Sequence, residues 1–176
     1  MKKHSVHEMC RVAIIAAVYV ALTMVNPISW GTMQFRVANL VCVLPFIDKK
    51  YSPSILLGVA IANAFSPLGI IDVAFGVGTH AMCHALFVFG PGRKLPILAK
   101  EAALSIMVAV FIGAELTMLY GIPYGVNVVS LFASTAAILL AGTAVFAPMR
   151  KRGILYYDEV PGAGRVHPRR LFCVTT

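Results

Sequence analysis

The chain has 176 residues, of which 59% are hydrophobic and 12% charged, with a mean hydropathy of +0.83 and a formal net charge of +8. A soluble globular domain of this size has no use for so much apolar surface. The positive residues gather at the ends of apolar runs and form no basic face, which excludes nucleic acid as the partner and points to a membrane-embedded chain. The four cysteines, Cys10, Cys42, Cys83 and Cys173, form no Cys-x-x-Cys pattern, so neither disulfides nor a metal site is implied.

Taken in order, the N-terminus places Lys2 and Lys3 before an apolar run, as a secretory signal does. The charge-free stretch Val12–Phe35 is long, however, and further apolar segments follow, so a first transmembrane helix is expected, ended by Asn26-Pro27. The run Val37–Ile47 is short for a span and reads as a tilted or partly embedded helix. Tyr51–Ile71 and Val73–Gly92 predict the third and fourth helices, separated by Ser66-Pro67-Leu68-Gly69. The run from Ala102 to Ala114 predicts a fifth helix continuing through Glu115 to about Leu119. Leu116–Met149 is too long for one span, and Gly121-Ile122-Pro123-Tyr124-Gly125 breaks it, so a sixth helix is expected from about Tyr124.

Six helices place both termini on one side. Threaded from an inside N-terminus, Lys2, Lys3 and Arg11, the pair Lys49-Lys50, the group Arg93, Lys94 and Lys100, and Arg150-Lys151-Arg152 all fall inside. The loops near 28–35, 66–71 and 120–125 fall outside with no Lys or Arg, and Arg36 alone lies toward that side. This bias predicts an all-α membrane protein with six transmembrane helices and cytoplasmic termini; five spans would put Arg150-Lys151-Arg152 outside. Residues 1–152 read as the membrane domain and 153–176 as a cytoplasmic, poorly ordered tail.

Polar residues within apolar spans are costly and face the bundle interior. Asp72, Glu115 and Arg36 all thread to the outer half. They read either as an ion pair that holds the bundle together or as a binding site. At the same depth lie Trp30, Gln34, Phe35, Asn63, Phe75, Tyr124 and Asn127, giving aromatic walls with a few converging polar groups, as small-molecule sites have. Such a pocket suits a flat polar heterocycle. Asp72, Gly76, His80 and His84 recur every fourth residue on the fourth helix, with Thr79 and Cys83 beside them. Two histidines at that spacing suit a metal only with a third ligand; hydrogen bonding inside the bundle is the preferred reading. Ala13, Ala17 and Ala21 form a small-residue ladder on the first helix, which permits close approach of another helix.

The stretch Asn26-Pro-Ile-Ser-Trp-Gly-Thr-Met-Gln-Phe-Arg-Val-Ala-Asn39, followed by Leu44-Pro-Phe, resembles the QueT family. These are substrate-binding S-components of energy-coupling factor (ECF) transporters, associated with queuosine precursors. The likeness continues through Leu57-Gly58, Ile61-Ala-Asn63, Ser66 to Gly76, Gly113-Ala-Glu115-Leu-Thr117 and Gly121-Ile-Pro123, and covers roughly Arg11 to Met149. The resemblance implies an ECF S-component bundle with an outward pocket beneath the loop joining helices one and two. It also implies association with a transmembrane coupling subunit through Ala13, Ala17 and Ala21, and with two cytosolic ATPases. ATP is then used by those partners, and no cofactor belongs to this chain; no GxxxxGK[ST] loop occurs in it.

Within that reading the ligand is a 7-deazaguanine-type precursor. Glu115 accepts from its ring N–H and amino groups, Gln34 or Asn63 donates to its carbonyl, Phe35, Phe75 or Trp30 stacks on the ring, and Asp72 attracts a cationic aminomethyl substituent. Arg36, Asn127 and His80 complete the candidate set. The chain departs from the resembled pattern at Asn39, where an acidic residue is usual, at Ser134-Thr135, where a Gly-Glu pair is usual, and in carrying His80 and His84. Alternatives are an S-component for another vitamin or for nickel or cobalt, a membrane enzyme built on His80, His84 and Asp72, and a ligand-free assembly subunit. No nucleophile–base motif supports the enzyme.

Overall fold

The computed structural model describes residues 6–26, 29 and 34–151. Trp30 and the expected tail 153–176 lie outside the described residues. Helix α1 (Val6–Val25) is followed by a 3-10 segment (Val37–Val43) that runs into α2 (Leu44–Ile47). Then come α3 (Ser52–Ala64), α4 (Ile70–His84), α5 (Ile97–Tyr120) and α6 (Tyr124–Lys151). All regular structure among the described residues is helical.

Of the six helices expected as spans, four are long and apolar enough to cross a membrane: Glu8–Val25, Ile70–Phe89, Ile97–Tyr120 and Tyr124–Arg150. The other two fall short. Helix α3 has 13 residues, about 20 Å of rise against about 30 Å of hydrocarbon. It stops where Phe65 and Ser66 turn the chain, with Ser66 Oγ accepting from the Leu68 N–H, so the apolar run Tyr51–Ile71 does not become one helix. The Val37–Ile47 segment gains length from its 3-10 geometry, whose rise of about 2.0 Å per residue exceeds the 1.5 Å of an α-helix.

Packing closes these elements into a ring. Helix α1 lies against α3, α3 against α4, α4 against α5 and α5 against α6; α6 then packs on the 3-10 segment, which returns to α1. The surface is apolar, with Ile14, Val18, Leu57, Ile106 and Val129 exposed. The interior holds buried polar groups, among them Arg36, Asn63, Asp72, His80 and Glu115. That inversion of the soluble pattern identifies an integral membrane bundle. Helix α5 ends at Gly121, whose N–H bonds to the Thr117 carbonyl, and α6 begins at Tyr124, as the Gly-Ile-Pro break predicts. Helix α4 ends in a π-helical turn, Ala85–Phe89.

A seven-residue 3-10 run is unusual by itself and needs support from its neighbours. Ala38, Asn39, Val41, Cys42 and Val43 are buried in the ring. Helix α6 comes so close at Gly142 that a β-carbon there would press on the Leu40 carbonyl oxygen and on Val43 Cγ2. Gly142→Val is therefore expected to lower thermal stability in detergent by about 1–3 kcal/mol. Gly78→Ala, whose added methyl would meet nothing within 4 Å, should leave the melting temperature unchanged or slightly raised. Equal melting for both variants and the parent chain would contradict the close fit.

Candidate functional site

Three elements deliver a polar cluster to one end of the ring. Arg36 lies in extended backbone just before the 3-10 segment, Asn63 in the last turn of α3, and Asp72 in the first turn of α4. Arg36 Nη1 donates to Asn63 Oδ1 at 2.8 Å, and Nη2 straddles the Asp72 carboxylate at 3.3 and 3.4 Å. Arg36 Nε donates to the Ser29 carbonyl at 3.3 Å. Asn63 Nδ2 turns to the Asp72 backbone carbonyl at 2.9 Å. Both ends of the Asn63 amide are thus occupied, and Asn63 ties Arg36 to α4. Gly76 makes room for it, because a β-carbon at that position would collide with Asn63 Nδ2.

Glu115, on α5, is different. It is 1% exposed, and neither carboxylate oxygen has a hydrogen-bond partner among the described residues. The charges of Asp72 and Arg36 both act on it. The cluster thus has one guanidinium and two carboxyl groups, of which Asp72 is committed to Arg36 and Glu115 is not. A carboxyl in this setting demands a donor. Gln34 is buried beside Arg36 in sequence, with φ of 37° in the left-handed region that non-glycine residues seldom adopt. Such an outlier is held by its surroundings and occurs most often at functional sites.

The remaining candidates separate. Phe75 is half-buried and packs against the core, while Phe35 is 41% exposed. Asn127 is buried on α6 and donates to Thr117 Oγ1 at 3.0 Å, bracing α6 against α5. Sequence reading did not single out Tyr19, which is fully buried on α1 and lies within the influence of the Arg36 and Asp72 charges. The signal available was a tyrosine inside the long apolar run of the first helix. Nor did it foresee the Ser29 carbonyl as a partner of Arg36, since a backbone group leaves no mark in composition.

The polar face of α4 runs inward along its whole length. His80 Nδ1 donates to the Gly76 carbonyl at 2.9 Å, which leaves Nε2 as acceptor for the Cys42 thiol at 3.7 Å. His84 Nδ1 pairs with Ser52 Oγ at 2.8 Å, and the two imidazoles meet edge to face. The histidines are therefore hydrogen-bonded within the bundle. Among the described residues no group of three His, Cys, Asp or Glu side chains gathers to hold a metal. Asn39 is buried, with Oδ1 4.0 Å from Cys42 Sγ; Thr135 is buried, and Ser134 Oγ donates to the Leu131 carbonyl.

A groove of about 460 Å³ lies elsewhere, between α1 and α3, lined by Ala13, Ala16, Ala17, Val20, Ala21, Leu57 and Ile61. The three alanines of the small-residue ladder thus share one apolar surface.

Breaking the ion pair from one side leaves a buried charge alone. Arg36→Met should therefore destabilise the protein by about 3–5 kcal/mol. Adding Asp72→Leu to it should recover part of that loss, because the orphaned carboxylate goes with its partner. Melting curves of the single and double variants check this, and a double variant less stable than the single would contradict it.

The QueT transporter family profile matches residues 9–151. Over 82 residues the chain is 35% identical to the queuosine precursor transporter QueT of Lactococcus lactis subsp. cremoris (strain MG1363), covering 45% of this chain and 48% of that protein. The chain thus spans about half the length of that relative in the match. No solved structure gives a significant match. A profile match extending from α1 to the end of α6 accounts for every helix described above, and the chain belongs to the QueT transporter family.

Proposed function

We propose that this chain is the substrate-binding S-component of an ECF-type importer in a bacterial cell membrane, and that it takes up a queuosine precursor of the 7-deazaguanine type. The observation that carries the reading is the Glu115 carboxyl, buried and without a hydrogen-bond partner among the described residues, in a transporter whose other central charges are paired. A deazaguanine presents a ring N–H and an exocyclic amino group side by side. Two parallel donors match the two oxygens of one carboxylate. Gln34 serves the ring carbonyl in this scheme, because the Asn63 amide is engaged on both sides. Phe75 supplies an apolar face for the ring. Asp72 lends negative potential toward a cationic aminomethyl group while remaining paired with Arg36.

The same reading gives the other surfaces their tasks. Both termini face the cytoplasm, and the cluster faces outward, consistent with the distribution of Lys and Arg. The transmembrane coupling subunit packs a helix into the alanine-lined groove between α1 and α3, where small side chains allow close backbone approach. Two cytosolic ATPases on that subunit hydrolyse ATP, so this chain performs recognition and no chemistry.

Thermal melts of the detergent-purified protein against 7-cyano- and 7-aminomethyl-7-deazaguanine, queuine, guanine, vitamins, nickel and cobalt test the assignment, because a ligand of the folded state raises the melting temperature. A deazaguanine is expected to shift it; a shift with a vitamin or metal alone would overturn the substrate. Glu115→Gln keeps the volume and removes one acceptor and the charge. It should weaken deazaguanine binding by about tenfold or more, the worth of a charge-assisted hydrogen bond. Unchanged affinity would remove Glu115 from the site.

A further inference from the structure

Helix α3 carries Asn63 at the Arg36 cluster and begins, at its other end, directly after the turn Lys49–Tyr51. There the bundle opens a cavity of about 570 Å³. Its walls hold Lys49, Lys50, Arg93, Lys100 and Arg150 against a single carboxylate, Asp48. Asp48 is committed to the turn, with Oδ1 accepting from the Lys50 N–H at 3.0 Å.

Two features distinguish this cavity from an ordinary solvated basic loop. Lys100 is only 6% exposed, and its Nζ donates to the Arg93 carbonyl at 2.8 Å. The charges of Arg93 and Arg150 both act on it, so three like charges converge, and among the described residues none of the three forms an ion pair. Further, Pro96 and Ile97 line the cavity, so the N-terminus of the 24-residue helix α5 opens onto it without a side-chain cap. The positive end of the helix dipole adds to the side-chain cations, and unpaired N–H groups at a helix start suit phosphate oxygens.

The position selects the source of the phosphate. Arg150 ends one helix long and apolar enough to cross a membrane, Lys100 lies in the first turn of another, and Arg93 follows the end of a third by four residues, so all three fall where a spanning helix meets headgroups. Phe89, Leu95 and Leu98 beside them are exposed, offering apolar surface to acyl chains. Basic recesses between membrane helices at this depth bind anionic headgroups. We propose that the cavity holds the phosphate of an anionic phospholipid, with Arg93, Lys100, Arg150 and the start of α5 as its ligands. The site is separate from the Arg36 cluster and does not depend on what that cluster binds.

The test uses the full chain in nanodiscs of phosphatidylcholine alone or mixed with phosphatidylglycerol, reading the melting temperature, and native mass spectrometry for retained lipid. Phosphatidylglycerol should stabilise the protein and be retained in preference to phosphatidylcholine. R93Q/R150Q, both at exposed positions, should reduce that preference by about tenfold or more. R11Q, on α1 and outside the cavity, should preserve it. Equal retention of the two lipids, or an unchanged preference in R93Q/R150Q, overturns the proposal. Stabilisation by inorganic phosphate in phosphatidylcholine discs, with no preference for phosphatidylglycerol, overturns the lipid and assigns the site to a soluble phosphate.

Discussion

Arg36 sets the constraint that the rest of the bundle obeys. A guanidinium inside an apolar ring must find its counter-charge and its acceptors from protein, because lipid offers none. It finds them on three neighbours at once: Asp72 on α4, Asn63 on α3 and the Ser29 carbonyl. These bonds fix where α3 ends relative to the start of α4. They also hold the beginning of the 3-10 segment in place, and the tight fit of that segment against α6 follows from being pinned there. Asn63 needs Gly76 opposite it, so the polar clasp and the helix contact are one feature.

The cluster and the basic cavity give the bundle two unlike ends. One is a closed set of carboxyls around a paired arginine, and the other a recess where cations outnumber acids. Between them, α4 carries a line of polar side chains, His80 bonded to Gly76 and Cys42, and His84 to Ser52. Each of these bonds joins α4 to the 3-10 segment, to α3 or to its own backbone. A helix in lipid has no hydrophobic drive toward its neighbours, and such contacts supply specificity in its place. These polar residues thus serve packing, and Glu115 stands apart because neither of its carboxylate oxygens has a hydrogen-bond partner among the described residues.

Much of this was legible in the sequence. The break between α5 and α6 followed from Gly121 and Pro123, and the division of α3 from α4 from the Ser-Pro-Leu-Gly turn, since local backbone chemistry decides both. Arg36, Asp72, Asn63 and Glu115 stood out because polar groups in apolar runs are few. What composition did not determine was which carboxylate Arg36 would take, as Asp72 and Glu115 thread to the same depth. The 3-10 geometry of Val37–Val43 and the π turn at Ala85–Phe89 were also hidden. The first is packed against a neighbour distant in sequence, Gly142, which leaves no local mark. The Cys42–His80 and Ser52–His84 contacts span 38 and 32 residues and leave no periodic trace.

The separation of Arg36 from Asp72 bears on biogenesis. The two lie 36 residues apart. At about 5–20 residues per second of synthesis, the guanidinium is made roughly 2–7 s before its carboxylate. During that interval the guanidinium lacks its counter-charge, so the clasp of Arg36, Asn63 and Asp72 closes only once the first turn of α4 has been made.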